Sequence, residues 1–119
     1  MSWWTRLWRN TTAGGAGAVS EEAVVVHLKL SAAQGFAEER NSIHRMSDLL
    51  NDAILTKGVG EFDGDQFGGG ECVLYMYGPD ADQLFAAIYP LLKGWDSLRG
   101  GYAIRRYGPP GSRSEKVDF

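Results

Sequence analysis

The sequence feature that most constrains the fold is the apolar run Val-Val-Val-His-Leu-Lys-Leu at residues 24–30. Its β-branched valines favour a strand over a helix, and seven residues is an ordinary strand length. A run that is this apolar, and that begins to alternate only towards its end, is typical of a strand in the middle of a sheet. We therefore expect the core to be built on a sheet whose central strand comes first in the chain.

A long helix is predicted after this strand. Ser31 and Gln34 offer a capping pair, apolar residues then recur at helical spacing from Phe36 to Ile54, and Gly58 ends the element. Residues 59–67 and 71–77 are strand-like segments on either side of three glycines, which predicts a hairpin.

A second helix and a last strand complete the predicted elements. Asp80 and Gln83 can cap the helix, which is expected to continue to Trp95 with a bend at Pro90. The last strand covers residues 102–107 and is stopped by Gly-Pro-Pro-Gly at 108–111.

The order of these elements predicts an α+β fold of the ferredoxin-like βαββαβ plan. Four antiparallel strands would lie in the order 4-1-3-2, with both helices on one face. The predicted organisation along the chain is a Trp-rich amphipathic tail at residues 1–10, a Gly/Ala-rich linker at 11–21, the ferredoxin-like domain at 22–111 and a flexible C-terminal tail at 112–119.

The sheet face opposite the helices, which we call the open face, is the first candidate binding site. His27 on the first strand is expected to neighbour Tyr75 or Tyr77 on the third and Arg105 or Tyr107 on the fourth. Side chains of these types can stack and form hydrogen bonds to a partner or ligand. The predicted partner- or ligand-binding residues of this face are His27, Lys29, Tyr75, Tyr77, Arg105 and Tyr107.

The acidic, glycine-rich hairpin is the second candidate. Glu61, Asp63 and Asp65 alternate along one strand, so we expect their carboxylates on a single face. The spacing does not match a calcium loop, because Phe67 and Leu74 stand where oxygen ligands would be needed. The two interpretations are a solvated edge strand and a docking surface for a basic partner.

The tail at residues 1–10 contains three of the four tryptophans. Trp4, Leu7 and Trp8 fall on one helical stripe, and we expect them to be buried against the open face or a neighbouring subunit. Docking on a membrane surface is the other interpretation, although two arginines, Arg6 and Arg9, attract anionic lipid only weakly.

Charge and cysteine content exclude several classes of function. With Arg6 and Arg9 set aside, the rest of the chain carries 10 basic and 15 acidic residues, a net charge of −5, which disfavours nucleic-acid binding. One cysteine and two histidines support neither an intramolecular disulfide nor a zinc site, and we expect no metal and no cofactor. Cys72 is expected to point inward as an inert thiol. The absence of a membrane span or signal segment predicts a cytoplasmic protein.

Three segments carry a resemblance to a known group of proteins: residues 61–71, residues 75–82 and residues 99–111. Together they resemble a family of small bacterial proteins of unknown function, over roughly residues 22–111. The resemblance implies a bacterial cytoplasmic protein and brings no catalytic residues. More loosely, the acidic single domain is similar to toxin-neutralising immunity proteins, which cover a basic surface.

These observations predict a non-catalytic module that binds protein through the open face and the acidic hairpin. The partner is either a second copy, giving a homodimer, or a basic protein. The alternative from another class is a small-ligand enzyme or sensor, in which His27 serves as acid or base and Tyr75, Tyr77 and Arg105 line the pocket.

Overall fold

The structure, a computed structural model, describes residues 21–119. The predictions for the tail and most of the linker, including the burial of Trp4, Leu7 and Trp8, therefore lie outside the described residues. The described elements are β1 (Glu22–Lys29), α1 (Ala37–Lys57), β2 (Glu61–Gly68), β3 (Glu71–Gly78), α2 (Ala81–Lys93), a short 3₁₀ turn (Asp96–Leu98), β4 (Tyr102–Arg106) and β5 (Ser114–Asp118).

All five strands form one antiparallel sheet in the order β2-β3-β1-β4-β5. The first strand lies at the centre, as its apolar run predicts. The predicted sheet of four strands is corrected to five, because Ser114–Asp118 pairs with β4. The expectation of a loose tail from residue 112 onward is wrong for the same reason.

The core lies between the two helices and one face of the sheet. Val24, Val26 and Leu28 of β1 alternate inward and are fully buried with their counterparts on β3. Two helix contributions are Leu50 of α1 and Ile88 of α2. The buried residues of both helices pack on the same face of the sheet, so that face is closed to solvent.

The helix starts show where local sequence signals hold. Asp80 caps α2, since its Oδ1 accepts hydrogen bonds from the backbone N–H groups of Asp82 and Gln83 at 3.0 and 3.1 Å. The predicted Ser31–Gln34 capping pair of α1 is wrong. There the Glu39 carboxylate accepts from the Phe36 N–H at 2.9 Å and from the N–H and hydroxyl of Ser31 at 3.0 Å. The hydrogen bond from Phe36, and then those from Ser31, lower the pKa of Glu39.

Candidate functional site: the open face of the sheet

The open face carries a continuous set of aromatic and aliphatic side chains across its three inner strands. Strand register places on it Val25 and His27 of β1, Val73, Tyr75 and Tyr77 of β3, and Tyr102 and Ile104 of β4. Each of these side chains is partly exposed. Within the part of the chain that the structure describes, neither helix packs on this face, because both bury their apolar sides against the other one.

His27 lies at the centre of a row of side chains that crosses four strands. Its Nδ1 forms a hydrogen bond with Oε1 of Glu71 on β3. Its ring stacks on Tyr102 of β4, with centroids 4.4 Å apart and planes 14° from parallel. Lys116 of β5 places its Nζ 4.4 Å from the centre of the Tyr102 ring. The row therefore alternates carboxylate, imidazole, aromatic ring and ammonium, an arrangement in which each neighbour stabilises the next.

The predicted neighbours of His27 are wrong in part. In the strand register His27 lies opposite Val73 and Tyr102, whereas Tyr75 lies opposite Val25. Tyr75 and Tyr77 do lie on the open face, as alternation along β3 predicts. They sit nearer the end of the sheet at which β1 begins.

Arg105 and Tyr107 lie on the helix side of the sheet, which corrects their predicted place on the open face. Val26 pairs with Ala103 and Val24 with Arg105, so β4 turns its odd-numbered residues towards the helices. The Arg105 guanidinium donates to Asp82 at 3.1 Å and lies 5.2 Å from the Phe85 ring of α2.

Tyr107 shares the same partner on α2. Its hydroxyl donates to Oδ1 of Asp82 at 2.6 Å. Desolvation, and then this hydrogen bond to a carboxylate, raise the pKa of Tyr107 to about 12. Asp82 thus ties the end of β4 to the first turn of α2.

The tyrosines of β3 are held by polar partners on the neighbouring strands. The Tyr75 hydroxyl donates to Oε1 of Gln66 on β2 at 3.0 Å. Partial burial raises the pKa of Tyr77, the negative charge of Asp63 raises it further, and Arg106 opposes this shift. Arg106 in turn donates to Glu21 at 2.6 Å and to the backbone carbonyl of Gly108 at 2.7 Å.

The three hairpin carboxylates do not share one face, and this prediction is corrected. The register between β2 and β3 shifts between Phe62 and Gly64, which is a β-bulge at Asp63. Glu61 lies opposite Tyr77 on the open face. Asp65 lies opposite Leu74 on the helix side, with its Oδ2 3.6 Å from Nε2 of His44.

The Cys72 thiol lies in the core, away from the open face. Cys72 is fully buried, as predicted, and burial raises the pKa of its thiol to about 12, so the neutral thiol dominates near neutral pH. No group of three or more His, Cys, Asp and Glu side chains suited to a metal ion occurs among residues 21–119. The helices in that range include none that is long and apolar enough to cross a membrane.

Sequence reasoning missed Glu71, Tyr102, Ile104, Arg106 and Lys116 on this face. Tyr102 could have been found, since it alternates with the small residue Ala103, which suits a position beneath a closely packed helix. Lys116 could not, because the segment that became β5 is almost entirely polar. Glu71 lies beside the glycine turn, and its contact with His27 depends on the register of the hairpin alone.

Comparisons of the chain with protein-family models, with curated proteins and with solved structures give no match.

Proposed function

We propose that this protein is a non-catalytic protein-binding module that uses the open face as its docking surface. The observation that carries the proposal is the set of partly exposed tyrosine and aliphatic side chains on a sheet face that no described helix covers. Large apolar patches on soluble domains mark interaction sites, and tyrosine and arginine are enriched in protein interfaces.

The polar groups of the open face support a protein interface because they are already paired. Tyr75 is bonded to Gln66, His27 to Glu71, and Arg106 to Glu21. Side chains fixed in this way lose little conformational entropy when a partner binds. Their hydrogen bonds are also satisfied, so that burial under a partner leaves few polar groups unpaired.

The architecture fits this proposal. We assign the fold to the ferredoxin-like plan, with β5 added beside β4 at the edge. The partner is either a second copy or a basic protein, for which an immunity-like role remains the analogy. For a basic partner, the docking surface on the hairpin does not include Asp65, because that carboxylate faces α1. A bacterial origin and a cytoplasmic location stay predictions.

The small-ligand alternative has one observation in its favour, the hydrogen bond that holds His27 against Glu71. A carboxylate in this position orients an imidazole as a general base. Arg105, one of the residues predicted to line the ligand pocket, lies on the other side of the sheet. A screen of small metabolites by thermal shift tests this reading, and a ligand whose stabilisation is lost in His27→Ala but kept in His44→Ala would support it.

The test of the proposed function is a charge placed at the middle of the open face. Tyr75→Lys should abolish protein binding, measured as self-association by light scattering or as a specific partner retained on the immobilised protein. Leu49→Lys, at an exposed site on α1, is the matched control and should bind like the wild type. Equal binding by both variants, with both folded by circular dichroism, would contradict the proposal.

A further inference from the structure

Charge is unevenly divided between the two halves of the open face. The β2–β3 half carries the carboxylates Glu61, Asp63 and Glu71. The β4–β5 half carries the cations Arg106 and Lys116, and each has a carboxylate beside it, Glu21 at 2.6 Å from Arg106 and Asp118 at 3.4 Å from Lys116. The β2–β3 half is therefore acidic and the β4–β5 half is close to neutral. Two copies of such a surface meet more favourably when the acidic half of one lies over the neutral half of the other than when the two acidic halves face each other.

The position of β1 decides how such a surface meets its own copy. Two strands lie on each side of β1. A two-fold axis that runs parallel to β1, between two facing sheets, places the β2–β3 half of one subunit over the β4–β5 half of the other. An axis perpendicular to the strands would instead place each half on itself, carboxylates against carboxylates, which costs free energy.

We propose that the occupant of the open face is a second copy of this chain, packed face to face about a two-fold axis parallel to β1. This inference rests on the proposed function and names its partner. The dimer is isologous, so that each contact between unlike residues occurs twice.

The strand register states which side chains would meet. Tyr75, Val25, Ile104 and Lys116 form one row across the sheet, and Asp63 and Gly64 of the bulge lie at its β2 end. About the proposed axis, Tyr75 faces the partner's Ile104 and Asp63 faces the partner's Lys116. Facing sheets cross at about 30°, so these pairings hold best near the centre and loosen towards the corners.

The size of the face is suitable for a stable dimer. Strands β1, β2 and β3 have 8 residues each, and β4 and β5 have 5 each. At about 3.3 Å per residue and about 4.8 Å per strand, the five-stranded face outlines roughly 540 Å². Protruding side chains make the accessible area larger than the outline, which brings it near the roughly 800 Å² per partner of a standard interface.

The experiment exchanges the two charges that the axis brings together. Asp63→Lys puts a lysine opposite the partner's Lys116 at both symmetric contacts, and Lys116→Asp puts two carboxylates together. Each single variant should raise the dimer Kd about tenfold at low salt, and less at high salt. An equimolar mixture of the two should recover the wild-type affinity as a heterodimer, detected by native mass spectrometry. The controls Asp52→Lys and Lys57→Asp make the same charge changes on α1 and should leave the Kd unchanged.

The outcomes separate this inference from the proposed function. If Tyr75→Lys abolishes the dimer but a mixture of Asp63→Lys and Lys116→Asp does not recover the wild-type affinity, the proposed axis is overturned. A wild-type monomer that binds another protein through Tyr75 would overturn the second copy and leave the proposed function standing. A monomer that dimerises only after deletion of residues 1–10 would assign the face to that segment and overturn the inference as well. A dimer that is indifferent to Tyr75→Lys would contradict both proposals.

Discussion

Arg106 and Glu21 form an ion pair of 2.6 Å at the point where the chain enters the central strand, with side chains only 18% and 9% exposed. The same guanidinium donates to the Gly108 carbonyl. One arginine thus ties together the start of β1, the end of β4 and the turn that leads into β5.

Replacing this arginine should destabilise the fold. Arg106→Met removes the guanidinium from a carboxylate that is almost buried, and we expect the free energy of unfolding in urea to fall by about 2–3 kcal/mol. Arg99→Met is the matched control, because the Arg99 side chain is 85% exposed and its contact with Asp96 is 3.9 Å. That variant should change stability by less than about 0.5 kcal/mol. A similar loss in both variants would show that the buried ion pair stabilises the fold no more than the exposed one.

Cys72 should resist thiol reagents in the native protein. Its thiol is fully buried and has a pKa of about 12, so both access and ionisation are suppressed. We expect labelling near neutral pH to be at least about 100-fold slower in the native state than in urea. Labelling kinetics followed by mass spectrometry measure this ratio. Rapid labelling of the folded protein would mean that the sheet and α1 separate readily.

Alkaline pH should remove the stabilisation that Tyr107 provides. The folded-state pKa of Tyr107 is about 12, above the ordinary value of 10.0, so the folded protein holds this proton more tightly than the unfolded chain. Its contribution is therefore complete below pH 10.0 and is lost as pH rises towards 12. The stability difference between wild type and Tyr107→Phe should shrink over that window in urea titrations. A difference that stays constant with pH would contradict this assignment.

The contact between β1 and β4 should tolerate no side chain at residue 101. A Cβ added to Gly101 would lie 2.3 Å from the backbone oxygen of His27. We expect Gly101→Ala to cost about 3 kcal/mol, since the obstacle is backbone in a paired strand. Gly94→Ala is the control: there the nearest atom is the Pro90 oxygen at 3.9 Å, and the cost should be small. Thermal unfolding of the two variants gives the comparison, and equal melting temperatures would rule the prediction out.

The central strand and both helices could be predicted from the sequence because their apolar patterns are strong. Val24, Val26 and Leu28 alternate, and the helix residues recur at the helical period. The face assignment of β3 followed from the same alternation. These signals come from burial, which dominates the choice of face wherever large apolar residues take part.

The predicted faces of β4 and of Asp65 are wrong because the residues that decide them, Ala103 and Gly64, are small. In β4, Ala103 is the residue beneath the helices, and it gives a weaker apolar signal than Tyr102 or Ile104 on the other face. In β2, the bulge at Asp63 changes the side on which Asp65 lies. The glycine at residue 64, inside a strand pattern, is a signal of a bulge that the alternation argument did not use.

Strand β5 could not be predicted from local pattern. Its residues are Ser-Glu-Lys-Val-Asp, and only Val117 is apolar. Edge strands are commonly charged in this way, since charge discourages pairing with other chains. Such a strand is recognised only once the neighbouring strand is in place to receive it.

The central position of β1 also sets the order in which the molecule can be assembled. His27 pairs with Val73 on one side and with Tyr102 on the other, so β1 must wait for two strands that leave the ribosome well after it. Until then its valines have no sheet to join, and the nascent chain holds an apolar segment open to chaperones or to other chains. Pairings between distant segments are slow to form. Folding of this domain should therefore be a late and concerted event, completed only after β4 has been synthesised.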